Sequence, residues 1–285
     1  PASMRAGSDG TLTGYGTTAG GAIFIEEEGT VTIRGCVFRD NEAYDVTSDL
    51  FGYPYDIFVP TRGGAIYADP NSIVNILPVY AEQEESIVKT IFRDSLAGAV
   101  YCSAGSELFI DYAEFINNST FFENDSTGTT YSGFGIFDTV LNDDDDEYVF
   151  DSFDISGGVT VEVGAKVGSK VQNCGFYGNT SISGGAAIRT LSDITIDKCV
   201  LNGNESKGDG GAIFAYAEMP SPKIHTIRMT VKESELSGNT AHDFGGAIFA
   251  KDCLFEIFDS FLIRNQVISG GEIRVNRGTA HIQGC

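Results

Sequence analysis

The sequence predicts an all-β fold, a right-handed parallel β-helix of about eight rungs that spans residues 1–285 as a single domain. Two short motifs alternate along the chain, and the unit that contains both is about 25 residues long where it is shortest. Such a unit is too short for two helices, shows no 3.6-residue hydrophobic period, and is rich in Ile, Val and Phe. Stacked strands are therefore favoured over a helical solenoid.

The first motif is Gly-Gly-Ala-Ile followed by Phe or Tyr, and it predicts one strand in every rung. Clear copies occupy residues 20–24, 63–67, 210–214 and 245–249, and degenerate copies occupy residues 97–101, 133–137, 184–187 and 270–274. The fourth position is always aliphatic, so we predict that it points inward while its two neighbours point outward. The predicted inward column is Ile23, Ile66, Val100, Ile136, Ala187, Ile213, Ile248 and Ile273.

The second motif runs from an aliphatic residue to a small residue, then to Phe or Leu, and then to Asn. The first unit reads Ile33, Cys36, Phe38 and Asn41, and the second reads Ile87, Thr90, Phe92 and Ser95. The small position is Cys36, Thr90, Ala113, Cys174, Cys199, Ser234, Ser260 and Cys285 in rung order. We expect the Asn to tolerate a left-handed corner and its amide to hydrogen-bond to the Asn of the next rung.

Five insertions interrupt the short units and are predicted to form lateral loops rather than linkers between domains. They lie near residues 44–60, 69–82, 119–131, 138–165 and 216–226.

Composition and charge exclude several classes of protein. With 42% hydrophobic residues the chain can bury a core, and 35 glycines without a triplet period do not indicate collagen. A net charge of -22 argues against nucleic acid and against anionic membrane surfaces as partners. No apolar run is long enough for a spanning helix, so we expect no direct membrane insertion, and the start lacks a signal-peptide pattern, which predicts a processed or excerpted chain.

The two motifs together resemble the repeats of the chlamydial polymorphic membrane proteins and related right-handed β-helix surface proteins. Gly20 to Ile23 with Phe38 and Asn41 carry the pattern, as do Gly245 to Ile248 with Leu262 and Asn265. The resemblance covers nearly the whole chain. It implies a secreted passenger used in adhesion, with an extracellular or cell-surface location.

The cysteines of the small position suggest two disulfides. Cys174 and Cys199 are at the same phase in adjacent rungs, and a separation of ~4.8 Å allows a bridge between them. The alternative is that both are buried free thiols in a site that requires small volume. Cys36 and Cys285 have the same phase in the first and last units, so copies stacked end to end could form a disulfide between subunits.

The outward position next to the inward column predicts an exposed row of aromatic rings. Its members are Phe24, Tyr67, Tyr101, Phe137, Phe214 and Phe249. Such a row could bind a glycan or pack laterally, and the alternative is that the inserted loops cover it.

Modification and metal sites are weakly indicated. Asn117 and Asn124 are the candidate glycosylation sites, because the other sequons fall on the corner Asn of the repeat. The acidic run from Asp143 to Glu147 is a candidate calcium loop that lacks the spacing of a dedicated site. The three histidines are scattered, so we expect no other metal site and no cofactor.

The expected function is a non-enzymatic extracellular rod. It would serve as an adhesin passenger that contacts a host surface or glycan, or as a subunit that stacks end to end with copies of itself into a filament. The alternative is a polysaccharide lyase or hydrolase of the pectin-lyase-like fold, for which Asp193, Asp197, Lys198, Asp209 and Asp243 are candidate residues.

Overall fold

The chain is a parallel β-helix. The computed structural model describes residues 4–6, 12–13, 21–47, 57–60, 63–80, 86–103, 105–120, 158–161, 169–217 and 227–285. Within these residues the structure contains strands and no helix, and the strands of successive rungs pair in parallel to form long sheets. The predicted all-β fold class, a parallel β-helix, is confirmed.

Four sheets, which we call sheets I to IV, form the faces of the β-helix. Sheet I contains, in spatial order, Leu12–Thr13, Met4–Ala6, Ile23–Ile25, Ile66–Ala68, Val100–Cys102, Val159–Val161, Ile188–Thr190, Ile213–Tyr216, Ile248–Lys251 and Ile273–Asn276. Sheet II contains Thr30–Arg34, Ile73–Leu77, Glu107–Asp111, Ser169–Gln172, Ile194–Asp197, Ile227–Lys232, Cys253–Phe258 and Thr279–Gln283. Sheet III contains Val37–Arg39, Thr90–Arg93, Ala113–Ile116, Gly175–Tyr177, Val200–Asn202, Glu235–Ser237 and Phe261–Ile263. Sheet IV is short and contains Thr180–Ser181, Glu205–Ser206, Thr240–Phe244 and Gln266–Ser269.

Antiparallel pairing is limited to three places in the described residues. Leu12–Thr13 pairs antiparallel with Met4–Ala6 at the edge of sheet I. Two hairpins form separate two-stranded sheets, one of Tyr44–Thr47 with Ile57–Pro60 and the other of Val79–Tyr80 with Ile87–Val88. The first hairpin lies within the predicted insertion at 44–60.

The inward column of sheet I follows the Gly-Gly-Ala-Ile motif with two corrections. The strand register aligns Ile23, Ile66, Val100, Val159, Ile188, Ile213, Ile248 and Ile273. Ile188 replaces the predicted Ala187, because Gly185 rather than Gly184 takes the left-handed corner that Gly210 takes in the next rung, with φ of 63° at both. Val159 replaces the predicted Ile136, which lies outside the described residues.

Two predicted insertions contain rung strands. Ile73–Leu77 lies within 69–82, yet it pairs with Thr30–Arg34 and with Glu107–Asp111 in sheet II. Its Ile76 therefore takes the aliphatic position predicted for Ile87, which belongs to the second hairpin. Val159–Val161 likewise lies within 138–165 and pairs in sheet I. Most of the insertions at 119–131, 138–165 and 216–226 lies outside the described residues.

Aromatic rings from sheet III stack inside the rod. Phe38, Phe92, Phe115 and Phe176 follow one another along the axis with ring centroids 4.8, 4.9 and 4.7 Å apart. Leu201, Leu236 and Leu262 continue the same column. Because each ring lies directly on its neighbour, the motif position that carries Phe or Leu builds the core of the rod.

The corner Asn residues form a buried amide ladder, as predicted. Its members are Asn118, Asn179, Asn204, Asn239 and Asn265, and each of the first four donates its Nδ2 to the Oδ1 of the next at 2.8 to 3.0 Å. Each Nδ2 also donates to the carbonyl oxygen of a sheet III residue one rung earlier, as Asn204 does to Phe176. The left-handed backbone predicted for the Asn lies instead at the residue before it, for example Asn117, Gly178 and Gly203.

The ladder is interrupted at Ser95, which replaces Asn in the second rung. Asn41 Nδ2 and Ser95 Oγ are both buried, and neither has a hydrogen-bond partner within the described residues. Asn at position 95 would place an amide oxygen toward Asn41 and an amide N–H toward Asn118. We expect Ser95→Asn to raise the free energy of unfolding by about 1 kcal/mol, measured by urea denaturation.

Ser95→Ala is the control for this substitution, because it removes a hydroxyl that makes no hydrogen bond in the described residues. We expect it to change stability by less than about 0.5 kcal/mol. A Ser95→Asn variant less stable than Ser95→Ala would contradict the interpretation that the ladder lacks an amide here.

Candidate functional site

The outer face of sheet I carries two rows of side chains that follow the axis of the rod. The first row contains, in register, Phe24, Tyr67, Tyr101, Arg189, Phe214, Phe249 and Arg274, and Thr160 holds the register position between Tyr101 and Arg189. The second row, two residues further along each strand, includes Tyr216, Lys251 and Asn276. Five of the six aromatic residues predicted from the sequence thus share this register. Thr160 and Arg189 take the two positions between Tyr101 and Phe214, and Arg274 follows Phe249.

The amino-terminal half of the first row is covered, which corrects the prediction of an exposed row. Phe24, Tyr67 and Tyr101 stack with centroids 5.3 and 5.1 Å apart, and Tyr101 packs with Ala43 and Ala97. Tyr101 is 1% exposed and Phe24 4% exposed. Tyr67 between them is half-buried, so this half of the row presents little surface to a ligand. In the other half Phe249 is also buried, and Phe137 lies outside the described residues.

The carboxyl-terminal half of sheet I forms the floor of a cleft of about 330 Å³. Arg189, Phe214, Phe249 and Arg274 of the first row line it, together with Tyr216, Lys251 and Asn276 of the second row. Asp209 and Phe244 form a wall, and each precedes the left-handed glycine that opens a Gly-Gly-Ala-Ile motif. We call this group of nine residues the sheet I cleft.

Three cations in the sheet I cleft lie over aromatic rings. The Arg189 guanidinium carbon is 4.5 Å from the centroid of Phe214, and the Arg274 guanidinium carbon is 4.4 Å from that of Phe244. Lys251 Nζ is 4.5 Å from the centroid of Tyr216. A contact with a ring orients a cation without neutralising it, so the charges of Lys251 and Arg274 remain available to a ligand.

The sheet I cleft contains one carboxylate among its described residues. Asp209 is partly buried, and its Oδ1 accepts a hydrogen bond from the backbone N–H of Phe244 at 3.1 Å. Burial raises the pKa of Asp209, and the nearby Asp243 adds to the increase, while the Phe244 N–H, Arg274 and Lys251 oppose it. The carboxylate therefore shares the cleft with three cations and a backbone donor, and can accept hydrogen bonds from a ligand.

The cysteines of the small position occupy the predicted column. Val200 N donates to Cys174 O, which places Cys174 and Cys199 in adjacent rungs. The thiols donate to carbonyl oxygens two residues earlier, Cys174 to Gln172 and Cys199 to Asp197, as the Ser234 hydroxyl does to Lys232. All six cysteines are free in the structure, so the predicted Cys174–Cys199 disulfide is not formed in it. A shared hydrogen bond, as well as small volume, explains the alternation of Cys with Ser.

Exposure of the six thiols predicts their reactivity. Cys36 and Cys285 are exposed, and the other four are buried. Burial raises the pKa of Cys102 and of Cys253 to about 12. We expect the native chain at pH 8 to react rapidly with iodoacetamide at two thiols only, because the thiolate is the reactive form.

Mass spectrometry after denaturation without reductant provides the control for this prediction. Six alkylated cysteines are expected from free thiols, and the absence of alkylation at Cys174 and Cys199 in the peptide map would show that these two are bridged. Rapid native labelling of Cys102 or Cys253 would contradict the prediction. The disulfide between Cys36 and Cys285 of two stacked copies stays a prediction, which a non-reducing gel checks.

The remaining predicted site residues are dispersed. Asn117 is exposed at a left-handed corner, which keeps it accessible as a glycosylation candidate, while Asn124 and the acidic run 143–147 lie outside the described residues. Asp197 is buried on sheet II, with Lys170 Nζ at 3.7 Å and Lys232 Nζ at 3.2 Å from its Oδ2. Within the described residues, no three His, Cys, Asp or Glu side chains are grouped so that they could hold a metal ion.

The sequence interpretation placed Arg274 on the outside of the rod but did not identify Arg189 and Lys251 as residues of the sheet I cleft. Arg189 was not placed in the first row because the rung begins one residue later than the paired glycines of 184–185 indicate. Asp209 and Phe244 were not placed beside sheet I, although both directly precede a repeated glycine. Counting outward positions from the second glycine of the 184–185 pair would have placed Arg189 in the first row.

Two segments of the chain match a known repeat family. Residues 198–216 and 233–251 match the model of the Chlamydia polymorphic membrane protein repeat. The resemblance of the motifs to these repeats is therefore confirmed. Neither the comparison with curated proteins nor that with solved structures gives a match.

The matched segments give information on where in the cell the protein is located. Proteins with this repeat are surface- and membrane-associated in Chlamydia, which supports a cell-surface location for the chain in coarse terms. The described residues include no helix that could cross a membrane.

Proposed function

Because the chain carries repeats of the Chlamydia polymorphic membrane protein type, we propose that it is the rod-shaped passenger of a surface adhesin. The observation that carries this proposal is the position of the sheet I cleft. The matched segments 198–216 and 233–251 contribute Asp209, Phe214 and Tyr216, and Phe244, Phe249 and Lys251, respectively. The same repeats that build the rod thus supply most of a polar cleft on its outside.

The different roles of inward and outward side chains support a binding function for the outer faces. Inward positions of sheets I to III are committed to a continuous apolar core, and the corner Asn residues are committed to the amide ladder. Ligand contact is therefore left to the outer faces, where side chains change from rung to rung without disturbing the fold. An adhesin uses such a surface, with a rigid rod that presents it away from the cell.

Attachment to cells tests the proposal directly. Beads coated with the purified chain are expected to bind cultured epithelial cells saturably, and soluble chain is expected to compete. Beads coated with heat-denatured chain provide the matched control. Attachment no better than that of the denatured coating would contradict an adhesive role.

We also propose that the rod has no catalytic activity. Glycoside hydrolysis uses two carboxyl groups on either side of the scissile bond, whereas Asp209 is the one carboxylate among the described residues that line the sheet I cleft. Incubation with neutral and acidic polysaccharides, followed by assay of reducing ends and of unsaturated products, tests this. Product formation that is lost in Asp209→Asn would contradict the proposal and favour the alternative of a polysaccharide-cleaving enzyme.

A further inference from the structure

We propose that the sheet I cleft binds a single carboxylated sugar residue at the end of a glycan chain. The inference rests on the proposed adhesive function and names its ligand. Three features of the cleft support it, namely its cations, its rings beside polar groups, and its contrast in charge with the rest of the chain.

The cations indicate an acidic ligand. Arg189, Lys251 and Arg274 line one cleft, although the chain has only 18 basic residues against 40 acidic ones. Among the described residues, neither Lys251 nor Arg274 forms an ion pair, and both are aligned by the rings beneath them. Arg189 is 2% exposed, so Lys251 and Arg274 are the cations of the cleft that a ligand can reach. Planar guanidinium groups match a carboxylate with two parallel hydrogen bonds.

The remaining lining indicates that the acidic group belongs to a sugar. The Phe214 ring lies between the Arg189 guanidinium and the Phe249 ring, so its faces are occupied. Tyr216 is half-buried, and the part of its ring that Lys251 does not cover offers apolar surface to a pyranose. Asp209 accepts hydrogen bonds, and the Asn276 amide both donates and accepts, so the two suit hydroxyl groups. A simple inorganic anion would use the cations and would leave Asp209, the Asn276 amide and the open part of the Tyr216 ring without a role. A sugar acid uses all three kinds of group.

Size and overall charge favour one terminal residue over a long acidic polymer. A cleft of about 330 Å³ is at the small end of the range for ligand pockets. The net charge of -22 repels an extended polyanion along the rod, whereas a ligand with a single negative charge experiences mainly the local cations. The acidic chain thus selects against long sulfated polymers.

Calorimetric titration of the purified chain with 3′-sialyllactose, lactose and 3′-sulfated lactose tests the proposal. We expect 3′-sialyllactose to bind at least tenfold more tightly than lactose and than the sulfated sugar, and to bind more weakly as salt is added. The double variant Lys251→Gln/Arg274→Gln is expected to weaken this binding at least tenfold. The matched control is Lys198→Gln, which changes an exposed cation of another face and is expected to bind as the parent chain does.

Several results would overturn the inference. These are absence of detectable binding of 3′-sialyllactose, equal binding of lactose, tighter binding of the sulfated sugar, or unchanged binding by the double variant. Thermal unfolding of each variant shows whether the fold is retained. If the double variant unfolds early, Tyr216→Ser replaces it, with the same expected loss of binding.

Attachment of coated beads separates this inference from the adhesive function. If beads attach equally well to sialidase-treated cells, the ligand assignment is wrong and the adhesive function stands. If beads do not attach to any cell but the chain binds 3′-sialyllactose, the adhesive function is wrong and the assignment of the sheet I cleft stands.

Discussion

Replacing Asn204 by alanine is expected to lower the free energy of unfolding by about 3 to 5 kcal/mol. Its Oδ1 accepts from Asn179 N at 3.1 Å and from Asn179 Nδ2 at 2.9 Å, and its Nδ2 donates to Phe176 O at 3.1 Å and Asn239 Oδ1 at 2.9 Å. The side chain is fully buried, so no water replaces these bonds without opening the rungs. Each buried group left without a partner costs about 1 to 3 kcal/mol.

Equilibrium denaturation in urea measures the effect, and Asn202→Ala is the matched control. Asn202 lies in the same rung but is exposed, and its Nδ2 makes one hydrogen bond, to Ser237 Oγ at 2.8 Å. We expect the control to change stability by less than about 1 kcal/mol. Similar losses in the two variants would show that the buried ladder contributes no more than a surface amide.

The second large effect is expected from Gly211→Ala, with a loss of about 3 kcal/mol or more. A Cβ at this position would overlap Gly246 O of the next rung and would lie 2.7 Å from Thr240 C and 2.8 Å from Thr240 N. All of these atoms belong to the backbone, so no side-chain rotation relieves the contact. The rungs would have to separate, which would break the parallel pairing on both sides.

Gly203→Ala isolates the steric effect from the conformational effect. Gly203 has a φ of 66°, and a Cβ there meets nothing within 4 Å. The control therefore carries only the strain of a left-handed alanine, about 1 kcal/mol. Thermal or urea unfolding of both variants checks the difference. A Gly211→Ala variant as stable as Gly203→Ala would show that the close approach of the rungs is dispensable.

Periodicity alone predicted most of the fold, because a parallel stack places like positions over one another. The small position illustrates this, since Cys199 N donates to Ser234 Oγ and Ser234 N to Ser260 Oγ. The same reasoning gave a wrong assignment where two residues fitted one position of the motif. Ile87 stands three residues before Thr90, as the motif requires, yet Ile76 pairs in sheet II and a hairpin separates it from Thr90.

The residues of the sheet I cleft were harder to predict from the sequence than those of the core. Its residues lie on outward positions, which the repeat does not constrain, so no recurrence marks Arg189 or Lys251. Their proximity depends on the register of four strands and on a corner that brings Asp209 beside sheet I. The burial of Phe24 and Tyr101 could not be predicted from the sequence either, because it depends on packing with residues from other parts of the rungs.

The amide ladder has a polarity. Every Nδ2 from Asn118 to Asn239 points toward the later rungs and every Oδ1 toward the earlier ones, so the amide dipoles add along the axis. The positive end of this series is Asn265 Nδ2, which donates to the Glu272 carboxylate at 3.1 Å. A negative charge there complements the dipole as an acidic residue does at the start of an α-helix. Rungs of nearly interchangeable sequence are thus not electrostatically equivalent, because each one polarises the next in a fixed direction.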